Sequence, residues 1–271
     1  MVTSIWEGAG ARGWVASQEL LDRMYQQLED LLVEAISSQT TSRVLDVGCG
    51  TGGTTIAAAR RLGASGSCTG IDIAAPMIAA ARDRAVAGGA SVTFIVADAQ
   101  TYPFAAADFD AIISRFGVMF FDDSVAAFTN LRRAARSGAM LRFVAWRSAA
   151  DNPFMTAAER AAAPLLPDLP PRRPDEPGQF AFADGDHVRR VLADSGWSDI
   201  DLQPIDVPCA MPEDALVGYL TKLGPVGRAL QQADDELRAR VVATVRPAFD
   251  AYVHGAEVHF TAACWLVGAR A

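Results

Sequence analysis

Apolar residues recur at helical spacing over residues 17–38, at Leu20, Leu21, Met24, Leu28, Leu31, Leu32 and Ala35, with Ser17 where an N-cap belongs. The period then changes. Residues 43–47 form a short β-branched run that ends in glycines, which predicts a strand, and 54–62 predict the helix behind it. The alternation continues with a strand over 67–73, a helix over 75–87 closed by Gly88 and Gly89, and a strand over 91–97. Residues 109–113 predict a fourth strand, 124–135 a helix and 140–146 a fifth strand. Strands alternating with helices of this length imply a parallel sheet covered on both faces. The second to fourth strands are nearly continuous apolar runs, as doubly covered strands must be.

The pattern breaks after Trp146. Pro164, Pro167, Pro170, Pro171, Pro174 and Pro177 fall within fourteen residues, which excludes a central strand or a long helix and predicts a surface excursion, a lid or wall. A helix over 186–195 and a strand over 200–207 resume the alternation. Residues 213–253 read as mostly helical, punctuated by Pro225 and Pro247, and 258–267 predict a final strand. The expected organisation is one domain. It has a helical cap at 1–40, a core at 41–147, 184–207 and 256–271, and lid insertions at 148–183 and 208–255.

Composition narrows the class. The 271 residues are 51% hydrophobic and 21% charged, which excludes disorder and a disulfide scaffold. A chain this long hides roughly 70–75% of its unfolded surface, so it needs no metal or staple. The formal charge of −8 repels phosphate backbones, so nucleic acid and anionic membranes are not expected partners. Cys49, Cys68, Cys209 and Cys264 form no C-x-x-C pair, and with only His187, His254 and His259 no metal site is expected. The first seven residues lack a basic stretch followed by an apolar one, and no run approaches the ~18 apolar residues of a membrane span. A cytoplasmic location is the expectation.

The chemistry concentrates at strand ends. Residues 44–53, Val-Leu-Asp-Val-Gly-Cys-Gly-Thr-Gly-Gly, sit where a strand turns into a helix. Glycines there permit a tight turn and let a ligand touch bare backbone, while the helix start offers unpaired N–H groups. Read literally, Gly48-x-Gly50-x-x-Gly53 also fits a dinucleotide fingerprint, and a bare structural turn is the bland alternative. Asp72 ends the next strand at ribose-hydroxyl distance from that turn, or else simply caps the following helix. Asp46 and Asp98 add carboxylates on the same rim. Three acids there suit a ligand with cationic or N–H donor groups and repel a pyrophosphate, which favours an aminoacyl-nucleoside.

Residues 44–52, Gly-Ile-Asp-Ile at 70–73, Ala-Asp-Ala at 97–99 and Phe-Asp-Ala-Ile-Ile-Ser at 109–114 resemble the class I S-adenosylmethionine-dependent methyltransferases, with the motifs in the family's order. The subgroup looks like the ubiquinone/menaquinone-type small-molecule enzymes. The resemblance covers roughly residues 40–147 and implies S-adenosyl-L-methionine as cofactor. It implies that Gly48, Cys49, Gly50 and Gly52 line the methionyl end, with Asp46 near the amino group. Asp72 would take the ribose hydroxyls, Ile73 the adenine face, Asp98 the adenine amino group and the Ala99 amide a ring nitrogen, with Met77 counted among the cofactor-binding residues. Ser114 and Arg115 would stand beside the methionyl group. Read from the residues alone, Trp14 and Gln18, in a glycine-rich stretch, suggest a cap folding over the cofactor, with a tryptophan packing an extra helix onto the sheet as the alternative. Ser114-Arg115-Phe116-Gly117 replaces the Asn/Asp-Pro-Pro-Tyr signature, so nucleic-acid bases and glutamine amides are poor acceptors.

The expected fold is thus α/β and Rossmann-like: a doubly wound seven-stranded sheet with an antiparallel last strand and helical lids. Phe116, Met119, Phe120 and Trp146 suggest an apolar, planar acceptor, with a plain helix core as the alternative. His254 is the preferred candidate for a general base, although an acceptor that ionises easily needs none. Two rivals stand beside methyl transfer to O, N or C of a small molecule. One is an NAD-dependent oxidoreductase, carried by the glycine spacing and Asp72; the other is a non-catalytic cofactor-binding protein. The amphipathic segment 234–245 either pairs with its copy in a homodimer or packs on its own sheet.

Overall fold

The computed structural model describes residues 6, 8–36, 41–173 and 176–271. The expected helix end at 37–38, the cap–core boundary at 40 and Pro174 lie outside the described residues. Among the described residues the first named elements are the short helices α1 (Ala9–Ala16), α2 (Gln18–Met24) and α3 (Gln26–Glu34). The continuous helix expected from 17 is therefore two, broken at Tyr25, whose φ of −109° and ψ of 19° leave the helical region. The core follows as β1 (Arg43–Val47), α4 (Gly53–Leu62), β2 (Ser67–Asp72), α5 (Ala75–Ala87), β3 (Val92–Val96), β4 (Phe109–Arg115), α6 (Ser124–Ala134) and β5 (Ala135–Trp146). Asp123 caps α6 by accepting from the Ala126 N–H at 2.9 Å.

After β5 come α7 (Pro153–Ala162), α8 (Gly185–Asp194), β6 (Ser198–Pro212), α9 (Leu216–Lys222), α10 (Gly224–Leu230), α11 (Asp235–Val245), β7 (Val253–His254) and β8 (Glu257–Arg270). The sheet runs β3-β2-β1-β4-β5-β8-β6. The first five strands are parallel, and β8 pairs antiparallel with both β5 and β6. This is the seven-stranded doubly wound order with its last strand reversed, plus the two-residue β7 hairpinned onto β8. Leu45, Ile71, Ile112, Leu141 and Phe143 are fully buried in its strands.

Two strands run beyond their expected ends. β6 continues to Pro212 and β8 begins at Glu257, pairing through Cys209–Phe260 and Met211–Val258. The continuation is legible in its burial, because Val207, Cys209 and Met211 alternate inward with exposed neighbours. Pro204, Pro208 and Pro212 are tolerated because β6 is the outermost strand, where a missing N–H breaks no ladder. Since β5 pairs with β8 only as far as Trp146 opposite Cys264, residues 207–212 and 257–262 form a ribbon rising past the parallel strands, with β7 added at its tip against Glu257 and Val258. It carries α9 to α11. In α11, Val241 and Val245 are buried and the helix packs against α7, so its apolar face is covered within the chain.

The alanine-rich α7, inside the first of the expected helical insertions, is fixed at its start by Asn152. That fully buried amide donates to the Ala263 carbonyl and accepts from the Ala263 N–H, both at 2.9 Å, which locks α7 to β8. None of the helices is long and apolar enough to cross a membrane, among the described residues.

Candidate active site

Parallel strands deliver their carboxyl ends to one rim, where a cavity of about 490 Å³ opens. At the first corner Gly48, Gly50 and Gly52 hold φ of 66°, 55° and 80°, a region that side chains with a Cβ rarely enter. The Gly48 and Cys49 amides both donate to the Ile71 carbonyl, at 2.8 and 3.1 Å, which ties the turn to β2. At the second corner Asp72 accepts from the Gly50 N–H at 2.9 Å and from the Ala74 N–H at 2.8 Å. Burial raises the Asp72 pKa against the pull of these amides. At the third, Asp98 accepts from the Gln100 N–H at 2.8 Å and faces the cavity.

Asp46 points into the same space from β1 and is almost wholly buried. The Thr55 hydroxyl donates to it at 2.6 Å. Burial nevertheless pushes its pKa up to about 7, with Thr55 and Arg115 pulling the other way and Glu29 and Asp72 adding to the rise. At neutral pH such a group is about half ionised, and an arriving cation draws it fully into the charged form. Arg115, the last residue of β4, is held by Asp22 at 3.2 Å, and Asp22 also binds Arg84 at 2.5 Å. The Arg115 Nη1 is buried without a hydrogen bond, 3.9 Å from Glu29 Oε2, and Gln18 Oε1 is likewise buried without a partner.

Beyond the rim the cavity turns aromatic. Phe116 and Trp146 stack with centroids 4.5 Å apart and planes 3° from parallel, and Tyr25 meets both edge-on. Phe116 holds a positive φ of 66°, fixed by its N–H bond to the Val144 carbonyl at 3.0 Å. Trp6 stands edge-on to Trp14 and Phe120. Farther out, Phe154 stacks on Phe260 of the ribbon, 4.0 Å apart. Burial pushes up the phenol pKa of both Tyr25 and Tyr219, so neither serves as a ready base.

Asp46, Gly48, Cys49, Gly50, Asp72, Ile73, Met77, Asp98, Ala99, Arg115, Trp14 and Gln18 all line this cavity, as do Phe116, Met119, Phe120 and Trp146. Three expected residues stand apart. Gly52 packs inward, where a Cβ would come within 3 Å of Phe94 and Ala81. Ser114 is buried and works on the backbone, donating to the Val47 carbonyl at 2.7 Å and accepting from the Gly117 N–H at 3.1 Å. His254 is exposed on β7 with its ring 5.6 Å from that of His259, away from the cavity lining. None of the three histidines lines the cavity.

Sequence reasoning missed Asp22, Tyr25, Glu159, Arg172, Tyr219 and Arg228, all lining the cavity. No local spacing marks them, since they come from the N-terminal helices and the two insertions. The signal available was the Arg84–Asp22–Arg115 charge set, which only tertiary folding assembles.

Residues 44–138 match the model of a family described as a methyltransferase domain. The chain is 36% identical over 113 residues to aklanonic acid methyltransferase DauC of Streptomyces sp. strain C5, covering 41% of this chain and 51% of that one. It is 26% identical over 184 residues to a demethylmenaquinone methyltransferase of Renibacterium salmoninarum, covering 65% and 75%. The YcgJ protein of Bacillus subtilis superposes with a TM-score of 0.59 at 17% identity, over 90% of this chain and 98% of that one, which speaks for the fold.

Residues 44–138 are a methyltransferase domain, set in a Rossmann-like sheet.

The chain spans about half the length of the first of these curated relatives. Within the matched segment, Gly48, Gly50, Asp72 and Asp98 line the cavity at the carboxyl ends of the strands. The insertions outside the matched segment supply the rest of the wall. The residues present fit the cofactor. A Cβ at Gly50 would meet only the Met77 sulfur, at 3.7 Å, so the turn leaves open room. Two buried polar atoms there, Gln18 Oε1 and Arg115 Nη1, lack hydrogen-bond partners.

Proposed function

We propose that this protein transfers a methyl group from S-adenosylmethionine to an oxygen, nitrogen or carbon of a small, largely apolar acceptor. The observation that carries the reading is a single cavity that runs from the glycine turn and Asp72 to the Phe116–Trp146 stack and on to the two insertions. Bound cofactor supplies a methyl group on a positively charged sulfonium.

The rest falls to the chain. Asp72 takes the ribose hydroxyls, and Asp98 and the Ala99 amide take the adenine edge, with Ile73 and Met77 against the ring. Asp46 ionises opposite the amino group, and the free Nη1 of Arg115 meets the methionyl carboxylate. The stacked rings of Phe116 and Trp146 hold the acceptor in line; such orientation is worth roughly 7–11 kcal/mol. With no imidazole lining the cavity, the acceptor supplies an atom that loses its proton easily.

A flat, quinol-like acceptor is the favoured class. It suits the aromatic stack and the likeness to a demethylmenaquinone methyltransferase, and a relative acting on aklanonic acid extends the class to acids. A screen of quinols, phenols, amines and carboxylic acids with labelled methyl donor tests the activity. Calorimetry with S-adenosylhomocysteine and NADH tests the cofactor. Binding of NADH without S-adenosylhomocysteine would reverse the reading in favour of an oxidoreductase.

A further inference from the structure

The cavity is electrically two-ended. Its strand-end rim gathers Asp46, Asp72 and Asp98 beside Arg115, whereas the wall built by the insertions presents Arg172, Arg173 and Arg228 against Glu159 and Glu176, with Arg173 paired to Glu176 at 2.9 Å. Arg172 is already matched, since Glu159 accepts from its Nε at 2.7 Å and the guanidinium lies 4.8 Å over the Phe180 ring. Arg228, on α10, is different. It is partly buried, and among the described residues no side chain or carbonyl accepts a hydrogen bond from it and no carboxylate lies within 4 Å. Burial depresses its pKa, the Arg172 charge depresses it further, and Glu159 is the charge that opposes them. A half-buried guanidinium without a partner is unfavourable in the free protein and becomes favourable when an anion enters. In a chain of net charge −8, this is a local reversal of sign.

We infer that Arg228 is an acceptor-binding residue that selects acidic acceptors: an apolar ring system with a carboxylate directed at the α10 wall and its nucleophilic atom directed at the cofactor rim. The inference rests on the methyltransferase reading above and names its substrate class. Glu159 holds Arg172 and leaves the Arg228 guanidinium for the substrate.

The experiment uses the full chain loaded with S-adenosylhomocysteine and a set of one-, two- and three-ring hydroxyarene carboxylic acids, each with its methyl ester. Binding is followed by calorimetry. At least one acid is expected to bind about ten- to hundredfold tighter than its ester. Arg228→Met is expected to erase that preference, and Arg228→Lys to keep part of it. Both variants should retain wild-type affinity for S-adenosylhomocysteine, which shows that they are folded. Equal binding of acids and esters, failure of every acid to bind, or a preference that survives Arg228→Met overturns the inference. Failure of S-adenosylhomocysteine to bind the wild-type chain would instead strike the methyltransferase reading itself.

Discussion

Gly48 and Gly117 touch backbone to backbone. A Cβ on Gly48 would lie 2.5 Å from the Gly117 Cα, and one on Gly117 would lie 2.7 Å from the Gly48 Cα and 2.4 Å from the Val47 carbonyl oxygen. The turn after β1 and the loop after β4 are thereby pressed together, which sets the width of the cofactor rim. Gly48 has a second reason to be glycine in its φ of 66°. Gly117, at φ −79°, has only the contact. Gly117→Ala therefore isolates the steric effect. It is expected to destabilise the fold by about 1–3 kcal/mol through overpacking and to weaken S-adenosylhomocysteine binding as the rim spreads. Denaturant unfolding and calorimetry read the two effects separately; unchanged values for both would show that the loops yield freely.

Asp46 ties cofactor binding to pH. Its carboxyl stays protonated up to about 7 because it is buried. A cationic ligand requires the ionised form, so affinity should rise with pH, by up to tenfold per unit below pH 7, and level off above it. The protein alone responds in the opposite direction. A raised folded pKa means that this group's contribution to stability is complete below the ordinary value of 3.8 and is lost as pH climbs through about 7. Titrations with S-adenosylhomocysteine between pH 5.5 and 8, repeated on Asp46→Asn, check the linkage. The variant should be flat across that range.

Phe116 combines a positive φ with a buried, stacked ring. Phe116→Gly relieves roughly 1 kcal/mol of backbone strain but forfeits an aromatic burial worth about 3–5 kcal/mol. A net loss of about 2–4 kcal/mol is expected in chemical denaturation. If ring position is what aligns the acceptor, turnover should fall much further than cofactor affinity does.

Asp22 on α2 joins two arginines, Arg84 on α5 and Arg115 at the end of β4. Asp22→Asn leaves both guanidiniums short of a charge in a setting less than one-third exposed. We expect about 1–3 kcal/mol less stability and a weaker hold on the cofactor carboxylate as Arg115 reorients. A thermal melt matching the wild type would mean that the pair is screened by solvent.

Much of this was legible in the chain. The core alternation of apolar strands and capped helices fixed α4 to α6 within a residue or two, because local periodicity and tertiary burial agree there. The N-terminal helices were harder. Gly8, Gly10 and Gly13 make α1 look irregular, yet Gly13 is required by packing: a Cβ would come to 2.3 Å of the Lys222 carbonyl oxygen. That reason lies over two hundred residues away. The cofactor rim was readable because its residues cluster at strand ends, within one segment. The acceptor end was not, because Tyr25, Glu159, Tyr219 and Arg228 converge from three separate stretches. Ser114 shows the converse, a motif position whose hydroxyl serves the main chain.

The ribbon formed where β6 and β8 overrun the parallel strands has one more consequence. Helices hung on a flexible linker would let the far wall mould itself around whatever entered. Here the wall is cantilevered from a continuous ladder, Val207–Ala262 through Pro212–Glu257, with α7 bolted to the same strand by Asn152. On the side of α7 and α9 to α11 the chamber is thus framed by backbone pairing, which prepares a surface for a guest at less ordering cost than helices hung on a loose linker.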